Sequence, residues 1–587
     1  MTVSEREKSM VAGEAETGIR LPESRGVSRR TASILQSFFL ALGIVFLSLL
    51  SVTSTFLTVY MIRSEPEERA IISMAGLVPT LICMLSFAAI VVIICAVRVT
   101  PPHQSTERFA FVLGTLLSAI WVFIANVGPA FDSLDLASAA FALGDEASVP
   151  TAFTAWYSHG IEMWGIEWTS GAVTEYCYMA RYPFQAPFVL LLRACQLIAG
   201  NKFHTFLELL NAISNGISWL LVCRIARELS GDDRASVVAL GLCLTFTPLV
   251  YTSTFVYGNL ISLPFAFGAW LICILSSKAD VSPVRQFLCL VICSVLLALS
   301  TLVKQTMQIV SIAFAICVLM SCLRTKRWLC LPLAILPFVI TSVLMNAILN
   351  GLEAKTGTDL HNAPPKTTWI VMGIGGGSER LAEHGDGTLP ARDLEWPGFY
   401  DTYVWSDPHS EGYASWDDFN AHYLQLRLKR FAQNPAYAAK FFVRKLAIEW
   451  LEPTCECFLI SNHEINAGQF ASYLADTSRE YTAFAPLFYY GPINTASVTL
   501  ADAFQSLAAI GSLLWCWGAW RKEDEQLPMQ LLALILVLGS ALLYLFWENK
   551  SQYILPYWLF LLPYAACGWH RLGQRVTSLF RKDAPLQ

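Results

Sequence analysis

The stretch Ile124-Ala125-Asn126-Val127-Gly128-Pro129-Ala130-Phe131-Asp132-Ser133-Leu134-Asp135-Leu136 is where an apolar run stops and an acidic segment begins. A carboxylate held at the edge of a membrane span is costly, and is by default a candidate for function. Asp132 and Asp135 stand three residues apart, so on a helix they share a face. A second reading is structural. Asp132, with Ser133 beside it, precedes the apolar run Leu136-Ala137-Ser138-Ala139-Ala140 and is placed to cap it. Asp132 is the first candidate for a catalytic base and Asp135 the second.

The surrounding chain is a membrane chain. Its 587 residues are 55% hydrophobic and 14% charged, with a mean hydropathy of +0.49, against about 25% charged residues in soluble domains. Apolar stretches of spanning length, about 17–25 residues, recur from Leu35 to Ile554. Two long polar segments interrupt them, from Asp132 to Tyr182 and from Asn350 to Thr499. The expected fold is an all-α polytopic membrane protein.

Lys and Arg in the short loops set the orientation. Arg224, Arg227 and Arg234, then Arg324, Lys326 and Arg327, then Arg521 and Lys522, form clusters assigned to the cytoplasm, so both long loops face outward. Parity closes only if the segments at Phe184 and Phe206 make one net crossing, with a bend at Gly200-Asn201-Lys202 and His204. About 12 crossings follow, with both termini cytoplasmic. The expected divisions are a disordered tail (1–34), N-terminal helices (35–130), a first extracytoplasmic loop (131–183) and a transmembrane core (184–349). A second extracytoplasmic loop or small domain (350–500), C-terminal helices (501–570) and a cytoplasmic tail (571–587) complete the chain.

Several classes recede. The net charge of −5 comes with no basic patch interleaved with aromatics, so nucleic acid is not a partner. Residues Met1 to Arg30 are polar and carry no cleavable signal pattern. Most of the 16 cysteines lie inside apolar runs as small hydrophobes. Cys177, Cys455 and Cys457 sit in polar loops, but lack the spaced partners of a metal site. Gly373-Ile374-Gly375-Gly376-Gly377 follows no strand of a βαβ unit, so it reads as a hinge and not as a nucleotide loop. Trp416 to Trp450 reads as one basic amphipathic helix, either on the membrane surface or in a small outer domain.

Three further features fall on the side of Asp132. Tyr178, Arg181, Tyr182 and Gln185 stand where the first loop re-enters the membrane, with Pro183 fixing the entry angle. Lys304, in Leu302-Val303-Lys304-Gln305, is a lone outer cation and suits a lipid phosphate; snorkelling from a helix end is the plainer reading. Glu548, Gln552 and Tyr553 concentrate polar groups in the turn Trp547 to Pro556.

In their order and sidedness, Phe131-Asp132, Tyr178 to Gln185, Leu302-Val303-Lys304 and Glu548 to Pro556 resemble the GT-C membrane glycosyltransferases. That superfamily includes the protein O-mannosyltransferases and the aminoarabinose lipid A transferases. Trp369-Ile370-Val371-Met372-Gly373, with Lys445 and Trp450, is similar to a pattern of bacterial members. The resemblance spans about Ala110 to Tyr564. It implies a GT-C-like bundle and inverting transfer of a sugar from a polyprenyl-phosphate donor to an envelope glycan, lipid or protein at the plasma membrane. Asp132 would be the base and Lys304 the partner of the lipid phosphate; a divalent cation stays open. The chain departs from the pattern in having Asp135 three residues from Asp132, and Gln552 where an Arg often precedes Tyr. Competing classes are a lipid-linked-sugar flippase, which needs charges along a central path, a glycan polymerase or ligase using His361, His384, His409 or His422, and a non-catalytic scaffold.

Overall fold

The computed structural model describes residues 23–64, 67–97, 103–129, 132–144, 161–162, 176–278, 281–375, 394–398, 412–460, 484–489, 491–521 and 528–582. Helices dominate. They are α1 (Glu23–Phe56), α2 (Leu77–Ala96), α3 (His103–Ala125), α4 (Asp132–Ala142), α5 (Ala186–Ala199), α6 (Phe203–Ser230), α7 (Asp233–Thr245), α8 (Asn259–Ser276), α9 (Pro283–Val303), α10 (Gln308–Thr325) and α11 (Leu336–Thr356). In the second polar segment come α12 (Thr367–Gly373), α13 (Trp416–Gln433) and α14 (Pro435–Leu451), followed by α15 (Pro492–Trp520), α16 (Leu532–Tyr544) and α17 (Leu555–Lys582).

The chain is an all-α polytopic membrane protein. Among the described residues nine helical segments are long and apolar enough to cross a bilayer. A tenth is α7 with Thr247–Thr254, bent by 66°. The apolar Pro528–Tyr544 falls short of that length, and α17 is less apolar, so nine or ten candidate spans among the described residues stand against about twelve expected. The pair α5–α6 makes one crossing. Phe203, at the start of α6, packs edge-on against Phe141 of α4 at 5.0 Å. Arg227, at its end, pairs with Glu107 of α3 at 2.7 Å. Both ends of α5 therefore lie on the α4 side, with the reversal at Gly200 (φ +55), where glycine avoids the left-handed penalty.

Close packing holds the bundle. Gly216 of α6 lies against the carbonyl of Phe111, and Asn215 donates to Ser118 at 2.7 Å. Small residues let backbones approach where lipid supplies no hydrophobic drive. Stacked rings join the C-terminal helices, with Phe246 on Phe504 at 4.1 Å, Phe267 on Phe560 at 4.1 Å and Trp515 on Tyr564 at 3.9 Å.

Two elements differ from the sequence reading. Between α1 and α2 an antiparallel hairpin, β1 (Leu57–Ser64) and β2 (Glu67–Met74), runs in register from Leu57↔Met74 to Ser64↔Glu67. Its Ala70 N–H donates to the Glu395 carbonyl at 3.2 Å. The single helix expected from Trp416 to Trp450 is two, α13 and α14. Pro435 lacks an N–H and restricts the residue before it; Asn434 caps the new start by accepting from Tyr437 N at 3.1 Å.

Candidate active site

Five chain reversals come to one end of the bundle and line a single cavity of about 500 Å³. Asp132 enters from the first turn of α4, where the helix N-terminus favours a carboxylate. Arg181, Tyr182 and Gln185 enter from the turn before α5, Tyr257 from before α8, Lys304 from the end of α9, and Glu548 and Tyr553 from the turn between α16 and α17. Three other candidates stand behind this wall. Tyr178 is buried against the Tyr182 ring at 4.8 Å, Gln552 is buried in the α17 turn, and Asp135 lies one turn along α4 from Asp132.

Lys304 ends α9 in an extended conformation (φ −145, ψ 106) while its N–H still bonds the Ser300 carbonyl at 3.0 Å. Opposite it the chain turns at Gly258, with φ +76. A Cβ there would stand 2.5 Å from the Val303 carbonyl oxygen, so glycine is what lets the two turns touch. Tyr257 consequently lies under the lysine, with Lys304 Nζ 3.8 Å from its ring centroid. The Tyr257 hydroxyl accepts from Gln185 Nε2 at 2.5 Å and lies beside the Asp132 carboxylate. Burial pushes the phenol well above its ordinary range, and the Asp132 charge adds to this. Lys304 is 8% exposed. Burial pulls it down to about 7, while Asp132 and Glu548 pull upward and Lys550 pushes further down.

Glu548 forms the facing wall. It accepts from the Tyr553 hydroxyl at 2.8 Å and pairs with Lys550 at 2.9 Å. Burial works against charge on Lys550, but Glu548 and Asp132 outweigh it and hold this lysine protonated. Trp547 stacks on Trp369 at 5.9 Å with planes 9° apart. Ile309 and Ile312 of α10, Met345 and Leu349 of α11, and Leu543 of α16 complete the lining. The turns contribute charge and the helices contribute hydrocarbon. Such a cavity fits a ligand that joins an anion to an apolar chain.

The second polar segment clamps the Trp547 turn. Arg427 of α13 donates to the Val371 carbonyl. Lys445 of α14, 0% exposed, donates to the carbonyl of Gly373 at 2.5 Å and to that of Trp547. Both cations cap the last carbonyls of α12, where they suit the helix dipole. Burial pulls Lys445 down to about 8, opposed by Glu449 and Glu548. Gly373 packs directly on the Trp547 backbone, so this glycine serves close approach and not a hinge; Gly376 and Gly377 lie outside the described residues. Asn549 N donates to the Gly398 carbonyl at 2.6 Å. Arg444 reaches the carbonyls of Leu394 and Ala70. These cations are committed to backbone carbonyls, which places α13 and α14 in a folded layer against the Trp547 turn. Beneath it, Ser551 Oγ lies 2.7 Å from Glu452 Oε2 and 3.1 Å from Glu456 Oε1. Cys455 (φ 49) and Glu456 (φ 56) hold left-handed backbone there, a conformation that persists only where its surroundings impose it.

Other candidates lie elsewhere. His361 pairs with Glu353 at 2.9 Å and is about half exposed. His422 packs on Tyr413 at 5.5 Å. His384 and His409 fall outside the described residues. Charges within the helical spans have local partners: Arg193 with Gln196 at 2.6 Å, and His204 with Glu208 at 3.5 Å. Cys455 and Cys457 are buried free thiols. Among the described residues no group of three or more His, Cys, Asp or Glu is placed to hold a metal ion.

Sequence reasoning did not single out Tyr257 or Lys550. Lys550 lay in the Trp547–Pro556 stretch already noted. For Tyr257 the available signal was a tyrosine followed by glycine at the end of an apolar run, a weak one without its partner turn.

No family model and no curated protein matches the chain. Among solved structures, the archaeal oligosaccharyltransferase AglB from Archaeoglobus fulgidus, in complex with an inhibitory peptide and a dolichol-phosphate, is similar at 12% identity and a TM-score of 0.36. The match covers 83% of this chain and 52% of that one, so the chain spans about half the length of that protein. Likeness at this level transfers neither a substrate nor a residue role.

Proposed function

We propose that this cavity is the active site of a membrane glycosyltransferase of GT-C type. It would transfer a sugar from a polyprenyl-phosphate donor to a hydroxyl of an envelope acceptor on the extracytoplasmic face. The observation that carries the reading is the connected set Asp132–Tyr257–Lys304: a carboxylate and a cation bridged by one tyrosine, in a cavity with hydrocarbon walls.

In the proposed step Asp132 takes the proton of the acceptor hydroxyl as that oxygen attacks the anomeric carbon. The bond from that carbon to the phosphate oxygen breaks, and configuration inverts. The polyprenyl phosphate leaves with the electron pair and needs charge stabilisation, not protonation. Lys304 supplies it from a low-dielectric wall, where a fixed cation counts for more than in water. Tyr257 fixes the carboxylate through its hydroxyl and the lysine through its ring. Lys550 is neutralised by Glu548; Arg181 and Lys366 also line the cavity, and Lys304 is the buried cation that lies on the Tyr257 ring. The flippase reading is weakened by the local pairing of the span charges. The polymerase or ligase reading is weakened because neither His361 nor His422 is among the residues that line the cavity.

The test is the carbohydrate composition of the envelope, by mass spectrometry, in a deletion strain complemented with wild type, Asp132→Asn or Asp135→Asn at equal membrane abundance. The deletion should lose a sugar that wild type restores. Asp132→Asn should fail to restore it, since a positioned base contributes typically about 10²–10⁴-fold in rate. Full restoration by Asp132→Asn would remove the base assignment.

A further inference from the structure

A second groove opens off the main cavity between α10 and α11. It encloses about 170 Å³ and shares Gln305, Gln308, Met345 and Lys366 with the cavity. Its remaining polar lining is Thr301, Ser311, Thr341, Ser342 and Asn346.

This lining is unusual for its depth. Residues Leu336 to Leu349 of α11 are otherwise almost all apolar, yet Thr341, Ser342 and Asn346 put three polar groups on the side facing α10. Lipid offers polar groups no partner, so a polar face within a span needs something to bind. Two of the hydroxyls are satisfied by their own helices, Thr301 by the Leu297 carbonyl and Thr341 by the Pro337 carbonyl. Ser311 is not. It is 2% exposed, lines the groove, and its Oγ has no hydrogen-bond partner.

The chemistry of the lining selects the ligand. Beside the apolar Phe338 and Met345, it consists of carboxamides and hydroxyls, which both donate and accept, with no carboxylate and with the Lys366 cation at the junction with the main cavity. A hydrocarbon tail would leave these groups unpaired. A second phosphate would find one cation for its charge. A sugar ring presents hydroxyls that both donate and accept, and the enclosed space suits a single ring.

We infer that this groove is a saccharide subsite. It holds a neutral, hydroxyl-bearing ring of a membrane-anchored glycan acceptor that enters the cavity from the bilayer between α10 and α11. The assignment rests on reading the main cavity as the donor site.

The test uses full-length protein in lipid nanodiscs. Saturation-transfer NMR is recorded with dodecyl β-glucoside and dodecyl mannoside, and with dodecyl tetraethylene glycol as a sugarless control. Polyprenyl phosphate binding is followed in parallel by tryptophan fluorescence. Ring-proton transfer is expected from a glycoside and none from the glycol head. That signal should fall at least about fivefold in a Ser342→Ala/Asn346→Leu variant, whose two residues line the groove and not the main cavity, and persist in Lys304→Met. Polyprenyl phosphate should bind the groove variant like wild type, which also shows that it folds, and should bind Lys304→Met poorly. Should the double variant not fold, Ser311→Val, an apolar change of similar size, replaces it. The subsite is overturned if neither glycoside gives a ring signal, if the signal survives the groove variant, or if a Ser/Thr peptide displaces it while free sugars do not. Unchanged polyprenyl phosphate binding in Lys304→Met would instead overturn the donor reading, and the glycoside results would still decide the groove.

Discussion

Lys304 Nζ sits 3.8 Å from the centre of the Tyr257 ring, and the hydroxyl of the same tyrosine lies beside Asp132. One side chain thus touches both proposed working groups, and what changes at one is felt at the other.

Tyr257→Phe keeps the ring under Lys304 and removes the hydroxyl. In the proposed step that hydroxyl bonds the Asp132 carboxylate, and a hydrogen bond to a charged group contributes about 1.5–3 kcal/mol, or roughly 10–100-fold. Sugar transfer should fall by that factor, mainly in kcat, with polyprenyl phosphate affinity little changed. Kinetics of purified enzyme in nanodiscs check this; a loss confined to KM would mean that the hydroxyl binds substrate and does not position the base.

Lys304 titrates near pH 7 in the empty protein because burial disfavours its charge. A bound phosphate favours the charged form and raises that value. Polyprenyl phosphate affinity should therefore be highest below about pH 7 and weaken up to about tenfold per unit above it, with proton uptake on binding. Lys304→Arg, charged throughout, should flatten the profile. The sign for stability is opposite. A lysine whose folded value lies below its unfolded value costs stability in full below about pH 7, and the cost vanishes as pH rises through the unfolded value. Lys304→Met should raise the melting temperature of the empty protein at pH 6 more than at pH 10.

Gly258→Ala forces a Cβ to within 2.5 Å of the Val303 oxygen at a φ of +76. Left-handed strain of this kind costs on the order of 1–3 kcal/mol. The two turns should part, and both the melting temperature and polyprenyl phosphate affinity should drop. Unchanged affinity would show that Lys304 does not depend on this contact.

Lys445→Met removes the donor shared by the Gly373 and Trp547 carbonyls. Leaving buried acceptors unpaired costs about 1–3 kcal/mol. Thermal unfolding should fall accordingly, and hydrogen exchange should rise at Trp547 to Asn549. Exchange unaltered there would mean that the α13–α14 layer does not hold the Glu548 turn.

Much of the architecture could be read along the chain. Hydrophobic runs of spanning length, the Arg and Lys clusters between them, and the Gly200-Asn201-Lys202 break are local signals. They led to about 12 expected crossings, against nine or ten candidate spans among the described residues, and to the single net crossing of α5–α6. Asp132, Lys304 and Glu548 were expected on one side of the membrane, and all three line one cavity. The β1–β2 hairpin was passed over, although Leu57–Met74 reads as two short apolar runs about a charged, proline-bearing turn from Arg63 to Arg69; the longer spans on either side drew the reading. The break at Asn434-Pro435 was legible and was passed over in favour of the wider amphipathic pattern.

Which of these polar residues face one another is a different kind of fact. Tyr257 became a site residue only because Gly258 lets its turn touch the end of α9. Lys445 became a clamp only because α12 ends beneath it. Asp135 and Gln552 are as polar as their neighbours, yet stand behind the wall. Hydropathy and charge act along the chain and are carried by each residue wherever it lies, so the sequence alone determined the spans and the end of the bundle at which charge collects. Hydrogen bonds and close backbone approach act over a few ångströms between segments distant in sequence, so only the tertiary structure decided which carboxylate, tyrosine and lysine share the cavity.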